Sequence, residues 1–265
     1  METIPSSHGS HKMILSIILL VLVFISLIIW LSLTPPGIDG KLHAAGYSVC
    51  HQLESHSLAI GGEILPLCAR CTGTFLGLFF SLLYLAFKKK RTAIPSKLKI
   101  TVLILFFAAF IIDGINSSLT LLPGVHPLYP PDNRLRLFTG LLFGISLANL
   151  IMPLWNQTLW AEGEDKPVFD QWKDLIILVS LAAAIGLLIL VDIPILYYPI
   201  AIFSTGMIFV VLGMIYTLLW CIILKKENSL HHLRDGIRIL SIGMITAIFQ
   251  VGMMDLLRLM ITKTW

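Results

Sequence analysis

Cys50-His51-Gln52 is followed, about seventeen residues later, by Cys68-Ala69-Arg70-Cys71-Thr72-Gly73. Three thiols and an imidazole in one stretch are soft ligands that can hold a transition metal. Three Cys with one His form a known structural zinc set, and three ligands plus water suit catalysis. Cys50, Cys68 and Cys71 supply the sulfur. His51, His43, His126 or Asp113 offers the fourth ligand. His43 stands seven residues before Cys50, two helical turns away on the same face. His51 is adjacent to Cys50, so both reach one ion only where the backbone is irregular. A second reading is redox. Cys68-x-x-Cys71 at a helix start, with Arg70 beside it, has the setting that lowers a thiol pKa, and outside the cytoplasm a Cys50 bridge to either partner would staple the loop and leave one odd thiol. A third is packing of unpaired thiols in an apolar lining. Cys221, within an apolar run, reads as packing.

Charge within apolar runs is the next chemical signal. Asp113, Asp255 and Arg258 sit where each charge costs several kcal/mol unless paired or hydrated. The i,i+3 spacing of Asp255 and Arg258 allows an ion pair on one helix face, shared with Gln250 through Met254; alternatively these groups line an outward-facing polar pocket. Asp192, before Ile193-Pro194, reads as an interfacial helix end. Asp132-Asn133-Arg134-Leu135-Arg136 at a helix start suits a phosphate or carboxylate, or equally a capped helix with interfacial arginines. No His-Glu-x-x-His, Gly-x-Ser-x-Gly or phosphate-binding Gly-Lys-Ser/Thr loop occurs, which argues against the common metalloprotease, serine hydrolase and nucleotide-driven classes.

These groups need a frame, and the composition says which. Of 265 residues, 57% are hydrophobic and 13% charged, against about 25% charged in soluble domains. A spanning helix needs about 20 mostly apolar residues. Seven segments qualify: 13–33, 72–87, 99–119, 136–155, 175–191, 198–224 and 237–261. The first is longer than a signal h-region, and Thr34-Pro35-Pro36 follows it rather than a small-x-small cleavage site, so it reads as a retained anchor. Loops after the second, fourth and sixth segments, with Lys12, hold thirteen of the 19 basic residues: Lys88, Lys89, Lys90, Arg91, Lys97, Lys99, Lys166, Lys173, Lys225, Lys226, Arg234 and Arg238 are the other twelve. The positive-inside rule makes that side and the N-terminus cytoplasmic, and places the cysteines outside the cytoplasm at the cell membrane. The net charge of +4 follows from this asymmetry and requires no nucleic acid.

The first outer loop, 34–71, is the longest connection, and its stretch 42–53 suits an interfacial helix with Leu42, Ala45 and Val49 on one face. The 161–174 loop is acidic and reads as a solvated link, as does 228–235 with His231-His232. The segments opening Arg70-Cys71-Thr72-Gly73 and Leu137-Phe138-Thr139-Gly140 each have a second Gly four residues on, Gly77 and Gly144. Thr205-Gly206 in the sixth is a weaker echo. Each following segment carries an Asp near its outer end: Asp113, Asp192 and Asp255. The pattern suggests three tandem helical hairpins after an N-terminal anchor, related by an axis along the membrane normal. Small-xxx-small packing alone also accounts for it.

Cys50-His51-Gln52, Gly61-Gly62, Leu65-Pro66-Leu67-Cys68-Ala69-Arg70-Cys71-Thr72-Gly73 and Gly77, with Asp113-Gly114 and the Asn133, Arg136, Thr139-Gly140, Gly144 series, resemble an uncharacterised family of prokaryotic predicted membrane proteins, catalogued as a domain of unknown function. The resemblance covers 44–150. Family members usually read Pro-Glu-Arg-Ser-Phe after Cys-His-Gln; here Leu53-Glu54-Ser55-His56-Ser57 keeps the Glu without an adjacent Arg. The resemblance implies a polytopic membrane protein and supports Cys50, His51, Cys68 and Cys71 as one site.

The expectation is therefore an all-α, single-domain integral membrane protein spanning 1–265, with about seven transmembrane helices. Cys50, Cys68 and Cys71 would ligate a transition metal, zinc first, with His51 as fourth ligand or behind it. Asp113, and less so Glu54, would serve as base. Arg70, Asn133 and Arg136, with Asp255 and Arg258, would bind an anionic small molecule or lipid headgroup, and metal-assisted hydrolysis would be the chemistry. Transport along intramembrane charges, and a non-catalytic subunit of a membrane complex with a structural disulfide, are the alternatives.

Overall fold

The computed structural model describes residues 7–265 except 89, 121 and 123; Lys89, counted above among the basic residues, lies outside the described residues, as does the side chain of Lys12. The described residues form eight α-helices: α1 (Ser7–Leu33), α2 (Gly37–Tyr47), α3 (Ala69–Ala86), α4 (Lys97–Leu119), α5 (Asn133–Leu159), α6 (Trp172–Leu190), α7 (Tyr197–Ile223) and α8 (Ile237–Thr262). Four short strands join them: β1 (Ser57–Ile60), β2 (Glu63–Cys68), β3 (Arg91–Ala93) and β4 (Glu164–Pro167). All helices except α2 are long and apolar enough to cross a bilayer, seven spans in total. At 11 residues, α2 is only about 16 Å long and cannot span. The molecule is an all-α polytopic membrane protein. Its spans turn large apolar side chains outward, α1 most of all: Ile14, Ile17, Val21, Phe24 and Ile28 are exposed, as lipid contact requires and water would penalise.

The closest helix pair is α3 with α5, and glycine makes it possible. A Cβ on Gly73 would collide with the backbone of Leu137 and Leu141; one on Gly140 would collide with the backbone of Arg70 and Thr74. Leu137 and Leu141 stand to Gly140 as Arg70 and Thr74 stand to Gly73, so the contact is reciprocal. Gly77 against Leu141 and Gly144 against Thr74 repeat it one turn deeper. Two parallel helices exchanged in this way are related by a pseudo-two-fold axis running along them. The third hairpin departs from the pattern: Gly206 has nothing within 4 Å, and the close approach there is Gly243 of α8 against Gly213 and Thr217 of α7. We expect Gly140→Ala to cost about 1–3 kcal/mol, since a methyl forced against backbone overpacks the pair, and Gly206→Ala to leave stability unchanged. Unfolding of the full chain in micelles separates the two.

The α3, α5 and α7 N-termini share one end of the bundle with α2 and the β1–β2 hairpin. That hairpin turns on Gly61 and Gly62, both at positive φ (63° and 86°), which only glycine adopts without strain. The Gly61 N–H donates to Asp192 Oδ1 at 2.7 Å, which ties the hairpin to the end of α6. At the opposite end β3 pairs in parallel with β4. The expected solvated link at 161–174 is therefore structured, because Val168 and Phe169 are buried and Lys99 donates to the carbonyls of Phe169 and Asp170. The interfacial helix expected over 42–53 is also displaced. It ends at Tyr47, with Ala45 buried and Val49 exposed.

Candidate metal centre

Cys50 follows directly on the turn that ends α2, where its N–H donates to the Gly46 carbonyl at 2.8 Å. Gln52 then adopts a left-handed backbone, φ 53°. Its amide compensates by donating to the carbonyls of His43 (2.9 Å) and Pro66 (2.8 Å), so Gln52 ties α2 to β2. Gly46 has no room for a side chain against those same groups. The backbone irregularity needed to turn both Cys50 and His51 toward one point is thus present and held. Cys68 ends β2 and is the residue from which α3 starts, and Cys71 lies in the first turn of α3.

The Sγ atoms of Cys50, Cys68 and Cys71 lie within 4.8 Å of one another. Cys50 and Cys68 are buried, Cys71 half-buried, and all are free thiols. The Cys68 N–H donates to Cys50 Sγ at 3.3 Å. Hydrogen bonds from the Cys68 and Cys71 thiols, and then from His51, hold the Cys50 thiol far below its usual range. His51 Nδ1 sits 3.7 Å from Cys50 Sγ, and bonding to the Cys50 and Cys68 sulfurs raises His51 to about 9. The other ring nitrogen, Nε2, is 2.9 Å from Nδ1 of His56. Burial, reinforced by Arg136, His51 and Arg70, lowers His56 to about 4. His51 thus turns Nδ1 toward the sulfurs and Nε2 toward His56, and an outer partner on the second ring nitrogen is what orients a ligating histidine.

The other expected fourth ligands are placed elsewhere. His43 is engaged by Gln52, His126 is exposed on the loop between α4 and α5, and both Asp113 oxygens are taken. Asp113, 1% exposed, pairs with Arg70 at 2.5 Å and accepts the Tyr129 hydroxyl at 3.2 Å. Arg70 also donates to the Asp113 carbonyl and to Ser117 Oγ. Arg136 donates to the same Ser117 Oγ (3.2 Å) and to Asn133 Oδ1 (2.5 Å), and the Asn133 amide donates to the carbonyls of Ser55 and Ser57. One polar chain therefore runs from α4 through α3 and α5 to the hairpin. Three groups expected to bind an anion carry this internal scaffold. Glu54 is exposed, and its carboxylate has no partner among the described residues; the short 3-10 turn it opens delivers His56 instead.

The expected Asp255–Arg258 ion pair does not form. Arg258 reaches across to the cysteine loop, donating to the carbonyls of Tyr47 (2.7 Å), Cys50 and His51 (3.0 Å), with its guanidinium 3.9 Å over the Tyr47 ring. Asp255 Oδ2 accepts the indole N–H of Trp30 at 2.9 Å. The transport reading, which leans on that pair, loses this support. Sequence reasoning passes over His56, Ser117, Tyr129 and Trp30. Of these, only His56 leaves a trace, as a second histidine in the loop that carries His51.

Residues 50–150 match the model of a family described as "Predicted membrane protein (DUF2085)". An uncharacterised protein of Methanothermobacter thermautotrophicus is 36% identical over 103 residues, 38% of this chain and 83% of that protein. An uncharacterised protein of Methanocaldococcus jannaschii is 28% identical over 121 residues, 45% of this chain and 71% of that protein. No solved structure matches. The matched segment contains the three cysteines, His51, His56, the Arg70–Asp113 pair and nearly all of the α3–α5 contact; Trp30, Asp255 and Arg258 lie outside it.

Proposed function

This chain belongs to the DUF2085 family of membrane proteins of unknown function, and we propose that Cys50, Cys68, Cys71 and His51 hold one transition-metal ion, zinc before others, at the extracytoplasmic surface. The observation that carries this is the convergence of three sulfurs from two separate segments within 4.8 Å, with the His51 Nδ1 nitrogen 3.7 Å from one of them. Tetrahedral zinc with Zn–S near 2.3 Å sets its sulfurs about 3.8 Å apart, a small contraction of this cluster. His51 gives up its Nδ1 proton on coordinating, so loading releases protons. A Cys3His set is closed, which makes the centre a clasp that holds the first outer loop on the α3–α4–α5 end. The outer placement is supported by the basic residues, thirteen of 19 on the other side by sequence.

Metal analysis of the purified full chain tests this, with cobalt substitution to count thiolates from charge-transfer bands. About one ion per chain, with bands for three thiolates, is expected. Metal-free protein with all thiols reactive, or a stoichiometric disulfide, overturns it. His56→Ala should weaken metal binding about 10–100-fold, the usual cost of removing the group that orients a ligating histidine; competition with a chelator measures it.

A second reading adds chemistry on an anionic or lipid-linked substrate. It is favoured by one observation: Arg70 and Arg136 both donate to Ser117 Oγ, so two guanidinium groups converge at the cysteine end of the bundle. In that reading His51 stands behind the three sulfurs and leaves the fourth position open, so that a bound metal would supply a Lewis acid; Arg136 and Arg70 supply attraction for an anion, and Asp113 positions Arg70 rather than acting as base. Binding of inorganic phosphate or anionic-lipid vesicles that weakens in Arg136→Gln without loss of metal would favour it.

A further inference from the structure

A cavity of about 630 Å³ opens between α1 and α8. Its wall is almost wholly apolar, and Ile29, Phe249 and Met253 along it are exposed on the bundle surface, where bilayer lipid lies. One charged residue interrupts that wall. Asp255 is 3% exposed; its Oδ2 accepts from Trp30, while its Oδ1 has no hydrogen-bond partner among the described residues. Arg258, the cation one turn away, is spent on the cysteine loop. Gly252, one turn earlier on α8, faces the Trp30 ring, where a Cβ would lie 3.5 Å from Cδ1.

An unpaired buried carboxylate oxygen costs about 1–3 kcal/mol, and within a bilayer bulk water does not relieve it. A molecule that does so must dissolve in the membrane, lie along an apolar wall and present a hydrogen-bond donor at its head. We infer that the α1–α8 groove binds a membrane-dissolved amphiphile whose hydroxyl or ammonium group donates to Asp255 Oδ1 and whose chain lies along Ile29, Phe249 and Met253. The groove stands independently of any metal, yet it is adjacent to the cysteines. Trp30, Ile248 and Val251 share one apolar cluster with Cys50 and Cys68.

The test uses the full chain in nanodiscs with three photoactivatable probes of equal chain length: a long-chain alcohol, the corresponding primary amine and the methyl ether, which accepts but cannot donate. Labelled α1 and α8 peptides are quantified by mass spectrometry. The alcohol, the amine or both should exceed the ether about five- to tenfold, the value of one hydrogen bond; whichever donor labels more strongly identifies the head group. Asp255→Leu should abolish the excess. Asp255→Asn preserves shape and keeps its amide oxygen for Trp30, so it presents N–H to the groove and should shift preference toward the ether. Equal labelling by all three probes of the native chain, or a donor excess that survives in Asp255→Asn, overturns the inference and leaves a groove filled by any bilayer chain.

Discussion

Cys68→Ser should weaken metal binding at least about a hundredfold, emptying the chain after ordinary purification. Structural zinc sites bind with about 10–16 kcal/mol, so one ligand of four carries roughly 3 kcal/mol, and each 1.4 kcal/mol is tenfold. Serine is a preferred residue at a helix start, and Cys68 occupies that position before α3. The substitution therefore removes a thiolate without fraying the helix, and lost metal cannot be assigned to a lost fold. Elemental analysis alongside circular dichroism reads both quantities. Wild-type metal content in Cys68→Ser would remove Cys68 from the ligand set.

Arg70→Ala should destabilise the protein by about 3–5 kcal/mol, the cost of leaving a buried charge without its partner. Asp113 is 1% exposed, and among the described residues its side chain has, besides Arg70, only the Tyr129 hydroxyl. The double substitution Arg70→Leu with Asp113→Leu should recover most of that loss, because apolar groups of similar volume replace a buried pair at little cost. Unfolding of both variants in micelles checks the difference. A single variant within about 0.5 kcal/mol of wild type, as at ordinary surface positions, would show that the pair does not hold the α3–α4 contact.

The spans are legible because a bilayer imposes one simple requirement, about 20 apolar residues per crossing, and every expected segment overlaps an observed one. The cysteines are legible because soft ligands are rare enough to stand out. What sequence reasoning misses involves competition between distant partners. Spacing permits Asp255 and Arg258 to pair, but the turn after α2 exposes three carbonyls that a guanidinium satisfies together, and Trp30 claims the carboxylate. Likewise Asn133 reads as part of an anion site by its place beside Arg136, but its amide is engaged by the hairpin carbonyls of Ser55 and Ser57, which lie far from it in sequence. The third hairpin fails as a repeat because Thr205-Gly206 lies too deep in α7 to meet a neighbouring backbone.

The Arg258 clamp has a consequence for how the protein is made. The donor, on α8, lies 208 residues after the Cys50 carbonyl it holds. At about 5–20 residues per second, the ribosome leaves the cysteine loop without that brace for roughly 10–40 s. During that interval the Cys50 and His51 carbonyls lack the guanidinium that holds them. Membrane insertion of α8 is then a timing step in biogenesis: the brace forms only when α8 joins the bundle, and a chain truncated before α8 would leave the Tyr47, Cys50 and His51 carbonyls without it.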